Sequence, residues 1–206
     1  MPRTEEANIQ IKDERQRRIL SSALKVFIRK GFAATKISDI AVEAGMSNGL
    51  MYHYFQSKEE IYAELVRRAA AFSRSLLEQV QADGSEPIEQ LRALAVRIFR
   101  TVEQQQAGGH YFVLILEAMT SGVYPAQAIE CQHGSGRPFE ALVCIIEKGQ
   151  RRGQIVQAEP AQLAVTFFSA IVGLALLKVS GTIRSMPDPE ILMRVFSTAS
   201  PAVASE

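Results

Sequence analysis

Apolar residues recur every three to four positions along nearly the whole chain, and no run alternates residue by residue between two turn signals. A period near 3.6 belongs to helices and a period of two to half-buried strands, so the pattern commits the chain to an all-α fold. Punctuation then divides it. Residues 12–30 form a first helix, with Leu20, Ala23, Leu24 and Phe27 on one face and Ile19 and Val26 beside them. Gly31 is placed to end it in a left-handed cap. A short helix follows at 36–44, with Thr35 as N-cap, Ile37, Ile40, Ala41 and Ala44 turned inward, and Gly45 at its end. Ser47 caps a third helix at 48–55. Ser57-Lys58-Glu59-Glu60 is a capping box, a Ser with Glu three positions on, and opens a long helix that runs to residue 82.

Beyond the break at Asp83-Gly84-Ser85, helices are expected at 86–106, 110–120, 139–149 or 139–152, 160–180 and 189–198. Pro125, Gly134, Gly136 and Pro138 interrupt the segment 122–138. A chain of 206 residues, 47% hydrophobic and 22% charged, buries a core without staples and makes one domain or two small ones. Its two cysteines, Cys131 and Cys144, build neither a disulfide framework nor a four-cysteine zinc site, and Cys131 with His133 is too sparse for a metal. Residues 1–18 are polar and mixed in charge, without the apolar centre of a signal sequence. The longest nearly apolar run, 163–177, falls short of the ~20 residues that span a bilayer and reads as a buried helix. A cytoplasmic protein with reduced thiols and no membrane partner is expected.

The net charge of +1 hides an uneven distribution. Residues 1–58 carry ten Lys and Arg against six Asp and Glu, whereas residues 59–206 carry 13 against 16. A basic head on a mildly acidic body is the footprint of a small nucleic-acid-binding unit attached to a unit with another task. The expected domains are therefore 1–58 and 59–206.

Within the head, residues 31–61 read GFAATKISDIAVEAGMSNGLMYHYFQSKEEI. Two short helices joined at Ala44-Gly45-Met46-Ser47 have the layout of a helix-turn-helix. The layout needs a glycine at the sharp turn, small residues such as Ala41 where the helices cross, and polar and aromatic groups on the helix that enters the major groove. The stretch resembles the DNA-binding head of the tetracycline-repressor (TetR) family of bacterial transcription regulators. It matches at Gly31, Phe32, Thr35, Ile37, Asp39, Ile40, Ala41, Ala44, Gly45, Met46, Ser47, Gly49, Tyr52, Tyr54, Phe55, Ser57, Lys58 and Glu59. It departs at Lys36, where Thr is usual, and at Met51, where Leu or Ile is usual. The body matches only by length and helix count. The resemblance implies an N-terminal three-helix helix-turn-helix domain and a C-terminal helical domain for effector binding and dimerisation. It implies a repressor that a small effector releases from its operator.

Residue roles follow. Met46, Met51 and Phe55 pack the head. Tyr52 and Tyr54 cannot both face inward from a helix that already buries Met51 and Phe55, and their hydroxyls suit phosphate oxygens. Lys58 opens the fourth helix, where its ammonium and the free backbone amides beside it suit a phosphate. Lys36 adds a candidate phosphate contact, and the resemblance gives Thr35 another. Ser47 and Asn48 begin the recognition helix, where base edges are read, and an Asn pairs two-fold with adenine. Gly49 allows close backbone approach. Ser38 and His53 are further candidates, and Leu50 either touches a thymine methyl or is half-buried.

A lone helix-turn-helix reads half an operator, so a homodimer on a pseudo-palindromic double-stranded site is expected. In the apolar helix near 163–179, Ala164, Ala170, Gly173 and Ala175 permit close helix approach, with Phe167, Phe168, Leu174 and Leu177 as bulk. The resemblance assigns the last two helices, 160–180 and 188–198, to a four-helix interface between subunits. It also gives the body a small-molecule pocket, for which Phe99, Phe112, Met119, Phe139 and Phe168 are candidate lining residues and Glu117 a candidate partner for a cationic effector. No nucleotide-binding glycine loop, G-x-S-x-G elbow or H-E-x-x-H zinc helix is present, so neither catalysis nor a cofactor is expected. The competing reading is a helical scaffold whose head does not work on DNA.

Overall fold

A computed structural model describes residues 5–104, 109–114 and 138–198. The first helix, α1 (Glu5–Ala34), starts seven residues earlier than its apolar face suggests. No glycine or proline interrupts residues 5–30, so a polar stretch continues the helix outward from the buried one. Gly31, at φ 74° and ψ 159°, breaks the helix where expected, but its extended ψ is not that of the expected left-handed cap, and a last short turn follows. Helix α2 (Ile37–Ala44) is capped by Lys36 rather than Thr35. The Thr35 hydroxyl donates back to the Gly31 carbonyl at 2.7 Å, which turns the side chain inward and leaves the residue 1% exposed. Asp39 takes over the capping, its carboxylate accepting from the Lys36 N–H at 3.0 Å.

Gly45 ends α2 at φ 63°, with its own N–H on the Val42 carbonyl and the Met46 N–H on that of Ala41. This is a Schellman cap, which a left-handed glycine forms without strain. Helix α3 (Asn48–Tyr52) is three residues shorter than expected. The Met51 carbonyl accepts from both Tyr54 and Phe55, so the chain tightens into a turn there. Ser57 caps α4 (Lys58–Ala82), its Oγ accepting from Glu60 N at 3.2 Å, while the Glu60 carboxylate reaches past the cap to Gln56 N.

Helix α5 (Pro87–Gln104) buries Leu91, Leu94, Ala95, Ile98, Phe99 and Val102, the spacing of one helical face. Residues 109–114 are helical. Then come α6 (Pro138–Arg151), α7 (Pro160–Val179) and α8 (Pro189–Met193). The expected helix at 189–198 is thus only five residues long. Its backbone is captured instead by an antiparallel bridge between Ile155 and Ser197, with Val156 N donating to Phe196 O at 2.9 Å. Arg92 of α5 pairs with Glu190, and Glu103 accepts from Lys178 and from Met186 N, which ties the last elements to α5.

Two cores result. The head packs Ile19, Leu20, Leu24, Phe27, Ile40 and Met51 against Ile61, Tyr62, Leu65 and Val66 of α4, with Leu114 added from the 109–114 turns. The rings of Phe27, Phe32 and Tyr62 meet with centroids 4.7–5.7 Å apart. The body packs Leu76, Leu77 and Val80 of α4 against α5, α6 and α7, with Phe112 added. One continuous helix and one short one therefore take part in both cores.

Helix α7 differs from the buried helix that its composition suggests. It is long and apolar enough to cross a membrane, yet only about a third of it is buried. Leu163, Ala164, Phe167, Ile171, Val172 and Ala175 face the core, so Ala164, Phe167 and Ala175 serve the protomer's own packing. Val165, Thr166, Ser169, Leu176 and Leu177 face outward, with Val165 52% exposed.

Candidate nucleic-acid interface

Helix α3 is held by one residue and offers the rest. Met51 is fully buried, and Phe55 follows it into the core. Positions four apart share a helix face, so Asn48 stands beside Tyr52 and Gly49 beside His53. All four are exposed, Tyr52 at 51%. Ser47 is exposed too, and its Oγ accepts from Leu50 N at 3.3 Å, so it fixes the start of the helix. Leu50 is half-buried. Tyr54 is half-buried against the head core, so the two tyrosines part ways, one outward and one at the core's edge.

Gly49 has a specific geometry. A Cβ built there meets nothing within 4 Å, and its φ is not left-handed. Among the described residues nothing requires a glycine there, although glycine within a helix costs about 0.5–1 kcal/mol relative to alanine. A bare backbone on the exposed face of a short helix suits close approach by an outside partner.

The cations around α3 are unequal. Lys36 and Ser38 are exposed at the start of α2. Lys30 pairs with Asp39 at 2.8 Å and Arg29 with Glu43 at 3.4 Å, so these charges clip α1 to α2. The Lys30 ammonium and the Lys36 amide together hold the Asp39 carboxyl below its ordinary value. Lys58 departs from expectation. Its ammonium donates to the carbonyls of Phe32, Ala33 and Thr35 at 2.9, 3.2 and 2.9 Å, and lies 4.6 Å over the Phe32 ring. These carbonyls are left over where Gly31 breaks α1, and an ammonium with three donors satisfies them. The three N–H groups of Lys58 are thus engaged inside the head. Thr35 is likewise withdrawn, since a buried hydroxyl bonded to Gly31 has no surface to offer a phosphate.

The body sites sort differently. Phe99 and Phe112 are buried in one core, and Phe168 is half-buried against it. Phe139 lies on the outside of α6 at 40% exposure, so it does not line the interior of this protomer. Glu117, Met119, Cys131 and His133 lie outside the described residues. Cys144 is half-buried on α6. His110, half-buried at the junction of the two cores, is pushed below its ordinary 6.5 by burial, with the charge of Lys25 adding to the effect.

Residues 19–65 match the family of bacterial regulatory proteins described as the tetR family. That match covers the head alone. It is 31% identical over 93 residues to the HTH-type transcriptional repressor KstR2 of Mycolicibacterium smegmatis, a match covering 45% of each protein. To the HTH-type transcriptional repressor NicS of Pseudomonas putida it is 28% identical over 143 residues, 68% of this chain and 66% of NicS. The match to KstR2 thus spans about half of that relative's length. Among solved structures, AibR in complex with isovaleryl coenzyme A and operator DNA superimposes with a TM-score of 0.70 at 20% identity, over 87% of this chain and 94% of AibR. That likeness shows a shared fold across the body as well as the head.

Proposed function

We propose that this chain is a sequence-specific, DNA-binding transcriptional repressor that acts in the cytoplasm as a homodimer and is released from its operator by a small apolar effector. The observation that carries the reading is α3, a short helix anchored by buried Met51 whose exposed face presents Asn48, Gly49, Tyr52 and His53. Ser47, Asn48 and His53 read base edges, Leu50 touches a thymine methyl beside them, and Gly49 lets the backbone come close. Lys36, Ser38, Tyr52 and Tyr54 hold phosphates, and at the start of α4 the contact comes from the free amides of Lys58 and Glu59 rather than the lysine ammonium. Residues 1–58 carry this work and residues 59–206 carry effector binding and dimerisation.

The names of KstR2 and NicS support repression, and AibR, solved in complex with isovaleryl coenzyme A and operator DNA, supports a protein of this fold that binds both a small ligand and DNA. The outward face of α7, with Val165, Leu176 and Leu177, is the surface a second copy covers, helped by exposed Ile191 and Val195 near α8. The effector enters the body core beside Phe99, Phe112 and Phe168. It favours a body arrangement in which the two recognition helices no longer sit roughly 34–36 Å apart. Helix α4, shared by both cores, carries the change.

The test is binding of the purified protein to DNA flanking its own gene, against excess unrelated DNA at two salt concentrations. Tight binding that resists competitor supports the regulator. Binding that vanishes with competitor and salt reduces it to backbone electrostatics and favours a scaffold.

A further inference from the structure

Some cations of the head are already engaged and others are not. Arg29, Lys30 and Lys58 have partners within the protein. Lys12, Arg15 and Arg18 are exposed on the outer part of α1, and among the described residues no carboxylate pairs with them. They stand three residues apart, so they share one side of the helix and extend about 9 Å along it. Asp13 and Glu14 are the only acids between Lys12 and Arg18. This stretch contributes nothing to the buried head, whose packing begins at Ile19.

One contact fixes where the stripe lies relative to α3. A Cβ built on Gly45 would fall 2.9 Å from a guanidinium nitrogen of Arg18. Gly45 precedes Ser47, the N-cap of α3, by two residues. Consecutive Cα atoms are 3.80 Å apart, so these two lie within about 7.6 Å of each other. The Arg18 guanidinium therefore stands at the entry of the recognition helix, and Arg15 and Lys12 lead away from it.

We propose that Lys12, Arg15 and Arg18 form a second DNA contact, a phosphate-binding stripe that grips the backbone flanking the groove α3 enters. The proposal rests on the DNA-binding reading above. Phosphates of one strand recur every 3.4 Å along the duplex axis, so a stripe of about 9 Å meets two or three of them. Guanidinium groups fork onto phosphate oxygens with two parallel hydrogen bonds. Such contacts set the register of the head on the duplex without reading sequence.

The experiment titrates operator and unrelated DNA with the full-length protein, with Arg18→Gln, with Arg18→Lys and with a Lys12→Gln, Arg15→Gln double variant, between 50 and 200 mM salt. The stripe predicts that affinity for both DNAs falls by similar factors, about eightfold per lost contact at 0.1 M salt. It also predicts that the slope of log K against log[salt] becomes shallower by about 0.9 per lost contact, and that Arg18→Lys restores most of the slope. If Arg18→Gln lowers the melting midpoint while the slope stays, Arg18 only braces the end of α2. The double variant touches no part of that turn, and an unchanged slope there overturns the stripe. A parent protein that binds neither DNA overturns the DNA-binding reading itself.

Discussion

Gly49 separates stability from binding at a single position. Because an added Cβ meets only open space there, Gly49→Ala removes a flexible residue from α3 without a clash. The variant is expected to gain about 0.5–1 kcal/mol in denaturant unfolding and to bind operator more weakly, opposite signs from one methyl group. Equal or tighter binding would mean that α3 does not approach DNA closely at this residue. Lys58 is the reverse case. Lys58→Gln removes the ammonium that satisfies three carbonyls and should cost about 1–3 kcal/mol of stability. The salt dependence of DNA binding should not change, because the contact proposed there is made by backbone amides. Neither the inward turn of Thr35 nor the carbonyl cluster under Lys58 was legible in the sequence. Phe32 and Lys58 are 26 residues apart, and cap rules see only four. What was legible is local: Gly45 and Ser57 act within five residues of themselves, and both cap as expected.

At the scale of elements, both ends of α4, the start of α5 and the end of α6 fall within three residues of where capping residues and one-sided apolar spacing put them. Helix α7 did not yield its facing, because a helix apolar all round has no pattern to say which side the protomer buries. Helix α8 stopped short because Ile155 and Ser197, 42 residues apart, pair their backbones. The exposed face of α7 makes Leu177→Glu a test of assembly. The side chain is 39% exposed, so the protomer should keep its helicity by circular dichroism. The charge should nevertheless split the proposed dimer in sedimentation. The 109–114 turns carry a pH prediction. Burial holds His110 below 6.5, so its neutral form is the folded one. Its contribution is therefore complete above pH 6.5 and is lost as pH falls through the depressed value. Thermal midpoints should decline with acidification from pH 6.5, and His110→Gln should flatten that decline.

For the whole molecule, coupling between body and head is a reciprocal quantity. If effector lowers DNA affinity by some factor, operator must lower effector affinity by the same factor, which calorimetry with and without DNA measures directly. Charge alone separates a basic N-terminal stretch from a mildly acidic remainder, but it does not show that two helices serve both cores. Nothing in a sequence says that Ile61 and Val80, on one helix, belong to different cores.

The separation of the α7 face from the α3 face also has a genetic consequence. On the proposed dimer, a copy whose proposed recognition face is ruined, for instance by Asn48→Asp with Tyr52→Ala, keeps every residue of α7 and should still pair with intact copies. At equal expression and random pairing, only about one quarter of the dimers carry two working heads. Such an allele should be trans-dominant in a merodiploid reporter strain, derepressing the target while the wild-type gene is present. Adding Leu177→Glu to the same allele should render it recessive.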